Sequence, residues 1–541
     1  MNPQLLGYYN QELQFIRKMG TEFAQRYPKI AGRLDLGGTE CADPYVERLL
    51  EGFAFLTARI QLKLDAEFPR FTQHLMEMVY PQYLAPTPSM TVVQFEADLN
   101  GGVTEQGFLL PRQTVLRSST ISEGHGTCKF RTAHEVMLWP LRLTEASYLP
   151  RGEAGRFVVP GLEGVKAGIR LRLETTGGIK FSQLALDQLP LYLRGSGGIP
   201  TQLYELLLGH ALAVVIQPNE NNTDGWREVL NRRTIQATGF DDKQALLPSG
   251  PRSFQGYRLL REYFTLPERF LFVDLCGLQR VLQRCDEVEA LQIVILLDTE
   301  LNELEDRVSI DNFSLFCTPA VNLFPNRADR IHLSHKSTEH HIIVDRTRPR
   351  DYEVFAVTEV EGFGSSSAPE QVFRPFYSLQ DKMTDQDNHA FYTLRREPSL
   401  GSATRSQVTR STPYQGSETY ISLVDTHEAP YPSQLKQLGI QTLCTNRDLP
   451  QFMLTGQTKT DFTLAIGAPV NAVHCLTQPT DPKPAYPDGE HAWRLISHLS
   501  LNYLSLLNDN EEEGAAALRE LLRLYGDFTD PSIGKQIEGL L

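Results

Sequence analysis

Apolar side chains near the start of the chain recur at steps of three and four: Leu5, Tyr9, Leu13, Ile16, Met19, Phe23 and Tyr27. That spacing puts them on one stripe of an α-helix whose other face carries Gln11, Arg17, Lys18 and Glu22, with Pro28 close to its end. A second helix is predicted from Asp43-Pro44, an acidic N-cap followed by the one residue whose missing N–H costs nothing at the first helical position. Val46, Leu49, Phe53, Leu56, Ile60 and Leu64 repeat the same spacing, and a shorter helix with Phe71, Leu75 and Met78 is expected between Pro69 and Tyr80-Pro81. Such helices are marginal alone, so both stripes need apolar partners.

After Ser89 the pattern changes to short alternating runs broken by Gly and Pro. Val92, Val93 and Phe95, then Val115 and Leu116, then Ile169, Leu171 and Leu173 against Arg170, Arg172 and Glu174, have the period of two expected of half-buried strands. Gln202 to Leu208 reads as a short helix, and a break is expected near Pro319 to Pro325. Beyond it, His341 to Asp345 and Tyr352 to Val357 read as strands, while Gly362 to Pro369 and Glu397 to Glu418 read as exposed loops. Trp493, Ile496, Leu499 and Leu501 return to helical spacing, and the acidic run Asn508 to Glu513 precedes Ala515, Leu518, Leu521 and Leu522, a placement that complements the positive end of a helix.

The layout predicts a multidomain α+β protein: a helical N-terminal region over 1–88, a β-rich domain over 89–318, a second over 319–480 and a helical C-terminal region over 481–541. A length of 541 residues agrees with three or four units at about 150 residues each. Acidic residues outnumber basic ones by 66 to 52, a net charge of −14, so no nucleic-acid partner is expected. The seven cysteines are scattered without a CxxC pair, which suits a reduced, cytoplasmic protein. No apolar run approaches the roughly 20 residues of a membrane-spanning helix, so no direct membrane insertion is expected.

Candidate chemistry is sparse. Gly195 to Gly198 lacks the following lysine of a phosphate-binding loop, and Gly364 to Ala368 reads GSSSA where a serine-hydrolase elbow needs a second glycine. His332, His335, His340 and His341 lie close to Glu339, but HExxH is missing and strand alternation separates Ile331 and Leu333 from His332 and Ser334. A structural role is therefore preferred over a metal site, and no catalytic residue, metal or cofactor is assigned. Tyr8, Tyr9, Phe15, Phe53 and Phe55 make the N-terminus rich in aromatics, either as a core or as a partner surface.

Longer strings carry more information than periodicity. LLGYYNQELQFIRKMGTEFAQRYPKIAGRL, CADPYVERLLEGFAFLTARIQLKLDAEFPRFT and YPQYLAPTPSM resemble the N-terminal signature of the TssF (ImpG/VasA) family of type VI secretion baseplate subunits. FCTPAVNLF, HLSHKSTEHHIIVD, TNRDLP, WRLISHLSLNYLSL and LRELLRLYG are similar to later blocks of the same family. The resemblance implies a structural wedge protein, related to wedge proteins of contractile phage baseplates, in which two TssF copies join one TssG. It also implies contacts with TssE, TssK and the VgrG spike, a platform for tail-tube and sheath assembly and contraction, and docking at the inner membrane through TssK. On that footing part of both N-terminal stripes is expected to pack in an intersubunit helical bundle, with Leu5, Tyr9, Leu13, Ile16, Phe23, Val46, Leu49, Phe53, Leu56 and Ile60 as candidate interface residues. The competing readings are an intramolecular helical layer for these stripes and, for the whole chain, a metal-dependent hydrolase or a β-rich ligand-binding module.

Overall fold

The computed structural model describes residues 3–31, 43–98, 103–119, 126–157, 162–218, 226–248, 255–285, 288–334, 337–366, 368–376, 390–399, 414–425, 431, 434–485, 511–523 and 531–540. The chain divides into two compact units, one formed by residues 1–84 with 486–514 and the other by 85–485 with 515–541.

In the first unit, helices α1 (Pro3–Arg26), α2 (Pro28–Ala31) and α3 (Pro44–Val79) follow the predicted starts. Asp43 caps α3 by accepting a hydrogen bond from the Tyr45 N–H at 2.8 Å, with Pro44 at the first helical position. The expected interruption at Pro69 does not occur: α3 is one helix of 36 residues that ends where the Tyr80 N–H bonds the Met76 carbonyl. A proline inside a helix costs about 3 kcal/mol, yet the apolar period stays in phase across it, from Ile60 and Leu64 to Phe71, Leu75 and Met78.

The second unit is built on four main sheets. The first has six strands, in the order Phe462–Leu464, Val115–Ser118, Lys129–Thr132, Cys317–Val321, Met90–Ala97 and Val470–Cys475. The chain leaves this sheet after Thr132, builds a five-stranded and a four-stranded sheet, and comes back to it at Cys317. The five-stranded sheet centres on Ala290–Leu297, paired antiparallel to Ala167–Thr175 and Ala211–Pro218. Its alternation is the predicted one: Ile169, Leu171 and Leu173 are buried, while Arg170 and Arg172 on the other face ion-pair with Glu145 and Glu174. The predicted short helix spans Ile199–Gly209 and buries Leu203, Leu206 and Leu207 in the core shared by these two sheets.

A fourth sheet of eight strands follows, with Gln437–Thr445 paired antiparallel to Glu353–Phe363 and Val360, Phe373, Ile421, Leu438 and Ile440 in its core. Two asparagines tie it to the first sheet. Asn322 donates to the Lys129 carbonyl and to Asn446 Oδ1, both at 2.8 Å, while the Asn446 N–H donates to Asn322 Oδ1 at 2.7 Å. Both side chains are almost wholly buried, so these bonds hold the chain crossing between the sheets in one register. At the C-terminal end the helices Glu511–Arg523 and Pro531–Glu538 are present, with Glu511, Glu512 and Glu513 in the first turn of the former. The helical reading at Trp493 to Leu501 and the loop body at 400–413 lie outside the described residues.

A charged cluster is buried beside the four-stranded sheet. Glu262 is fully buried and accepts the Leu246 and Leu247 N–H groups at 3.1 and 2.9 Å while ion-pairing with Arg258 and Arg269, themselves 2% and 0% exposed. Arg258 also reaches Asp242 at 3.0 Å, and Arg269 donates to the Gly239 and Gln244 carbonyls. The carboxylate thus holds the turn at 239–247 against the helix Gln255–Tyr263.

His134 lies near this cluster, edge-on to Phe272 at 5.2 Å. Burial, with the positive charges of Arg269 and Arg112 behind it, pulls its pKa down to about 3. Unfolded, the imidazole titrates near 6.5. Between these values the unfolded chain binds the extra proton, so stability falls as pH drops from about 6.5 towards 3, by about 1.4 kcal/mol per unit from this group. Urea unfolding of His134→Gln beside the unsubstituted protein at pH 7, 6, 5 and 4 is expected to show a shallower acid decline for the variant. Parallel declines would refute the assignment.

Candidate interaction surface

Helices α1 and α3 pack on each other and are tied by an ion pair between Arg17 and Glu47. The fully covered side chains of the first half of α3 are small ones, Ala54 and Ala58, each at 0% exposure and one turn apart. At 100° per residue, Leu49, Phe53, Leu56 and Ile60 fall within an arc of about 60° on roughly the opposite side. These four large apolar side chains are 74%, 61%, 56% and 59% exposed. They follow a 4-3-4 spacing, the seam of a helix that packs against another helix.

The other candidate residues divide. Phe23 is exposed on α1, whereas Leu5, Tyr9, Leu13, Ile16 and Val46 are half-buried. Exposed apolar side chains that the periodic reading passed over add to the surface: Phe15 on α1 and Tyr45 at the start of α3, the latter 86% exposed. Neither sits on the stripe: Phe15 stands between Gln14 and Ile16, and Tyr45 between Pro44 and Val46. Met19, Tyr27 and Ile30 extend the exposed apolar set on the N-terminal side. Exposed large apolar side chains gathered on two packed helices make this pair the candidate interaction surface.

Among the described residues the histidine run does not assemble into a metal centre. Ile331 is buried and His332 exposed, as the strand alternation predicts, and His341 stacks on Tyr420 at 5.0 Å. His340 is buried, which lowers its pKa, and Glu339 pairs with Arg395; His335 lies outside the described residues. Among the described residues no group of three or more His, Cys, Asp or Glu could hold a metal ion. No helix among them is long and apolar enough to cross a membrane.

The fold is similar to that of a chain in the solved TssK-TssF-TssG baseplate subcomplex of a type VI secretion system, with a TM-score of 0.69 and 25% identity, over 91% of this chain and 84% of that one. A solved type VI secretion baseplate complex shares the fold at a TM-score of 0.55 and 23% identity, over 99% of this chain and 85% of that one. The protein is a structural component of a type VI secretion baseplate. The family described as "Type VI secretion system, TssF" matches residues 1–541, and the chain belongs to it. It is 54% identical over 543 residues to the type VI secretion system component TssF1 of Pseudomonas aeruginosa, covering 100% of this chain and 86% of that protein.

Proposed function

We propose that the chain is a wedge subunit that joins TssG and TssK through its helical arm and its sheets, and that its output is geometry rather than turnover. The single observation that carries this reading is the full-length likeness to TssF1 together with the likeness to the TssK-TssF-TssG subcomplex. The exposed row Leu49, Phe53, Leu56 and Ile60 supports a helical contact, because fully covering a Leu or Phe side chain contributes about 1.5–3 kcal/mol and these four stand 56–74% exposed. In this reading the row enters an intersubunit bundle with TssG and a second copy of the chain, two copies to one TssG. TssE and the VgrG spike are further contacts, and the wedge works in the cytoplasm, reaching the inner membrane through TssK rather than by insertion.

The test is co-expression with the TssG and TssK proteins of the same system, followed by native mass measurement. A complex holding two copies of this chain per TssG is the expected result. A chain that elutes alone, or one copy per TssG, counts against the wedge.

A further inference from the structure

Glycine is, after proline, the residue least favourable inside an α-helix, because it gives up the most backbone freedom on folding. Helix α3 nevertheless carries one at position 52, well inside its 36 residues. Gly52 is exposed, and a Cβ added to it would meet nothing within 4 Å. Among the described residues, no close approach within this chain calls for a glycine there.

The position borders the exposed apolar row. At 100° per residue Gly52 falls about 40° beyond Leu56, at the margin of the arc that holds Leu49, Phe53, Leu56 and Ile60. Leu49, Gly52, Phe53 and Leu56 stand at i, i+3, i+4 and i+7, the four corners of the hole that receives one side chain of a facing helix. Three corners are large and 74%, 61% and 56% exposed, and the fourth has no side chain. The hole is therefore deep, and a large apolar side chain is needed to fill it without a void.

The flank of this hole is positive. Arg48 and Arg59 lie on the Gly52 side of the row, about 100° and 80° from Leu49. The Arg48 side chain is 83% exposed and pairs with Glu51, and Arg59 is exposed. A second copy of α3 suits this face poorly. Parallel and in register, it sets Gly52 against Gly52 and leaves that layer empty. Antiparallel, with Phe53 over Gly52, it puts position 59 opposite 46, about 3 Å along the axis from Arg48 on the same flank, so like charges meet. A different helix, with a large apolar side chain and carboxylates beside its apolar stripe, meets neither problem.

We propose that Gly52 is the specificity-determining hole of the α3 surface, filled by one large apolar side chain of an amphipathic TssG helix whose flanking carboxylates face Arg48 and Arg59. This rests on the reading that α3 contacts TssG and goes beyond it by naming the residue that selects the partner helix.

Biolayer interferometry of the full-length chain against TssG of the same system, at low and high salt, tests it beside urea unfolding of the free chain. Gly52→Ala is expected to raise the urea midpoint, because alanine is the better helix former and its methyl group meets open space. The same variant should bind TssG at least about tenfold more weakly, because the methyl group occupies the hole. Gly52→Leu should remain folded by circular dichroism and lose detectable binding. Arg59→Glu should weaken binding about tenfold at low salt and less at high salt.

Unchanged TssG affinity in folded Gly52→Ala and Gly52→Leu overturns the proposal. If Leu49→Glu with Phe53→Glu still abolishes binding in that case, the α3 contact itself stands; if it does not, that reading falls too. A lower urea midpoint for Gly52→Ala would show that the chain's own packing requires the glycine. Unchanged affinity in Arg59→Glu, or dimerisation of the chain alone that Gly52→Leu abolishes, would overturn the acidic-flanked TssG helix as the occupant.

Discussion

Glu262→Gln is expected to lower the unfolding free energy by about 3–5 kcal/mol, the cost of breaking a buried ion pair from one side. The amide keeps the size of the side chain and removes its charge, which leaves Arg269 buried with only backbone carbonyls as partners and Arg258 with the partly exposed Asp242. The N–H groups of Leu246 and Leu247 already share Oε1, so the loss falls on Oε2, where an NH2 group would face Arg258 and Arg269. Burial and the neighbouring arginines already push Arg269 down to about 9, so its positive charge is held in place by this one carboxylate. Adding Arg269→Met to Glu262→Gln should recover part of the loss, because it removes the uncompensated charge. Urea titration of the three variants measures both effects. A loss below about 1 kcal/mol for Glu262→Gln would show that the cluster is hydrated or relaxes freely.

The second large effect separates folding from assembly. Leu49→Glu with Phe53→Glu should leave the unfolding free energy within about 0.5 kcal/mol, because both side chains already face solvent at 74% and 61% exposure. The same pair should abolish co-purification of TssG, since two apolar anchors are lost and two charges would have to be buried, a penalty of several kcal/mol. Leu13→Glu with Ile16→Glu provides the contrast: these half-buried positions of α1 should cost stability as well as assembly. If TssG is retained by the folded Leu49→Glu, Phe53→Glu protein, the helical row is not the contact. If that protein unfolds, the row belongs to the fold.

The candidate surface was only half legible from periodicity. Spacing places Leu49, Phe53, Leu56 and Ile60 on one side of α3, but it cannot say whether that side faces inward. Ala54 and Ala58 turn out to be the covered side, because small residues admit the neighbouring backbone closely and leave the larger side chains on the outside. Pro69 misleads as well, since the helix runs through it unbroken from Pro44 to Val79. Glu262 gave no sign at all. In REYFTLPERF it reads as an ordinary polar position near a helix end, and burial of a charged residue depends on partners contributed by distant turns.

Local chemistry in the sequence determined what is decided within a few residues: the cap at Asp43-Pro44, the helix Ile199–Gly209, the alternation through Ile169, Leu171 and Leu173, and the long strings that identify the family. Only the tertiary structure decided that Met90–Ala97 pairs with Cys317–Val321 on one side and Val470–Cys475 on the other. A period of two says that one face of a strand is buried, and it says nothing about which strand lies alongside. That choice is made by side chains hundreds of residues apart filling a common core, as Val93, Phe95, Phe130, Ala320, Phe462 and Val473 do here.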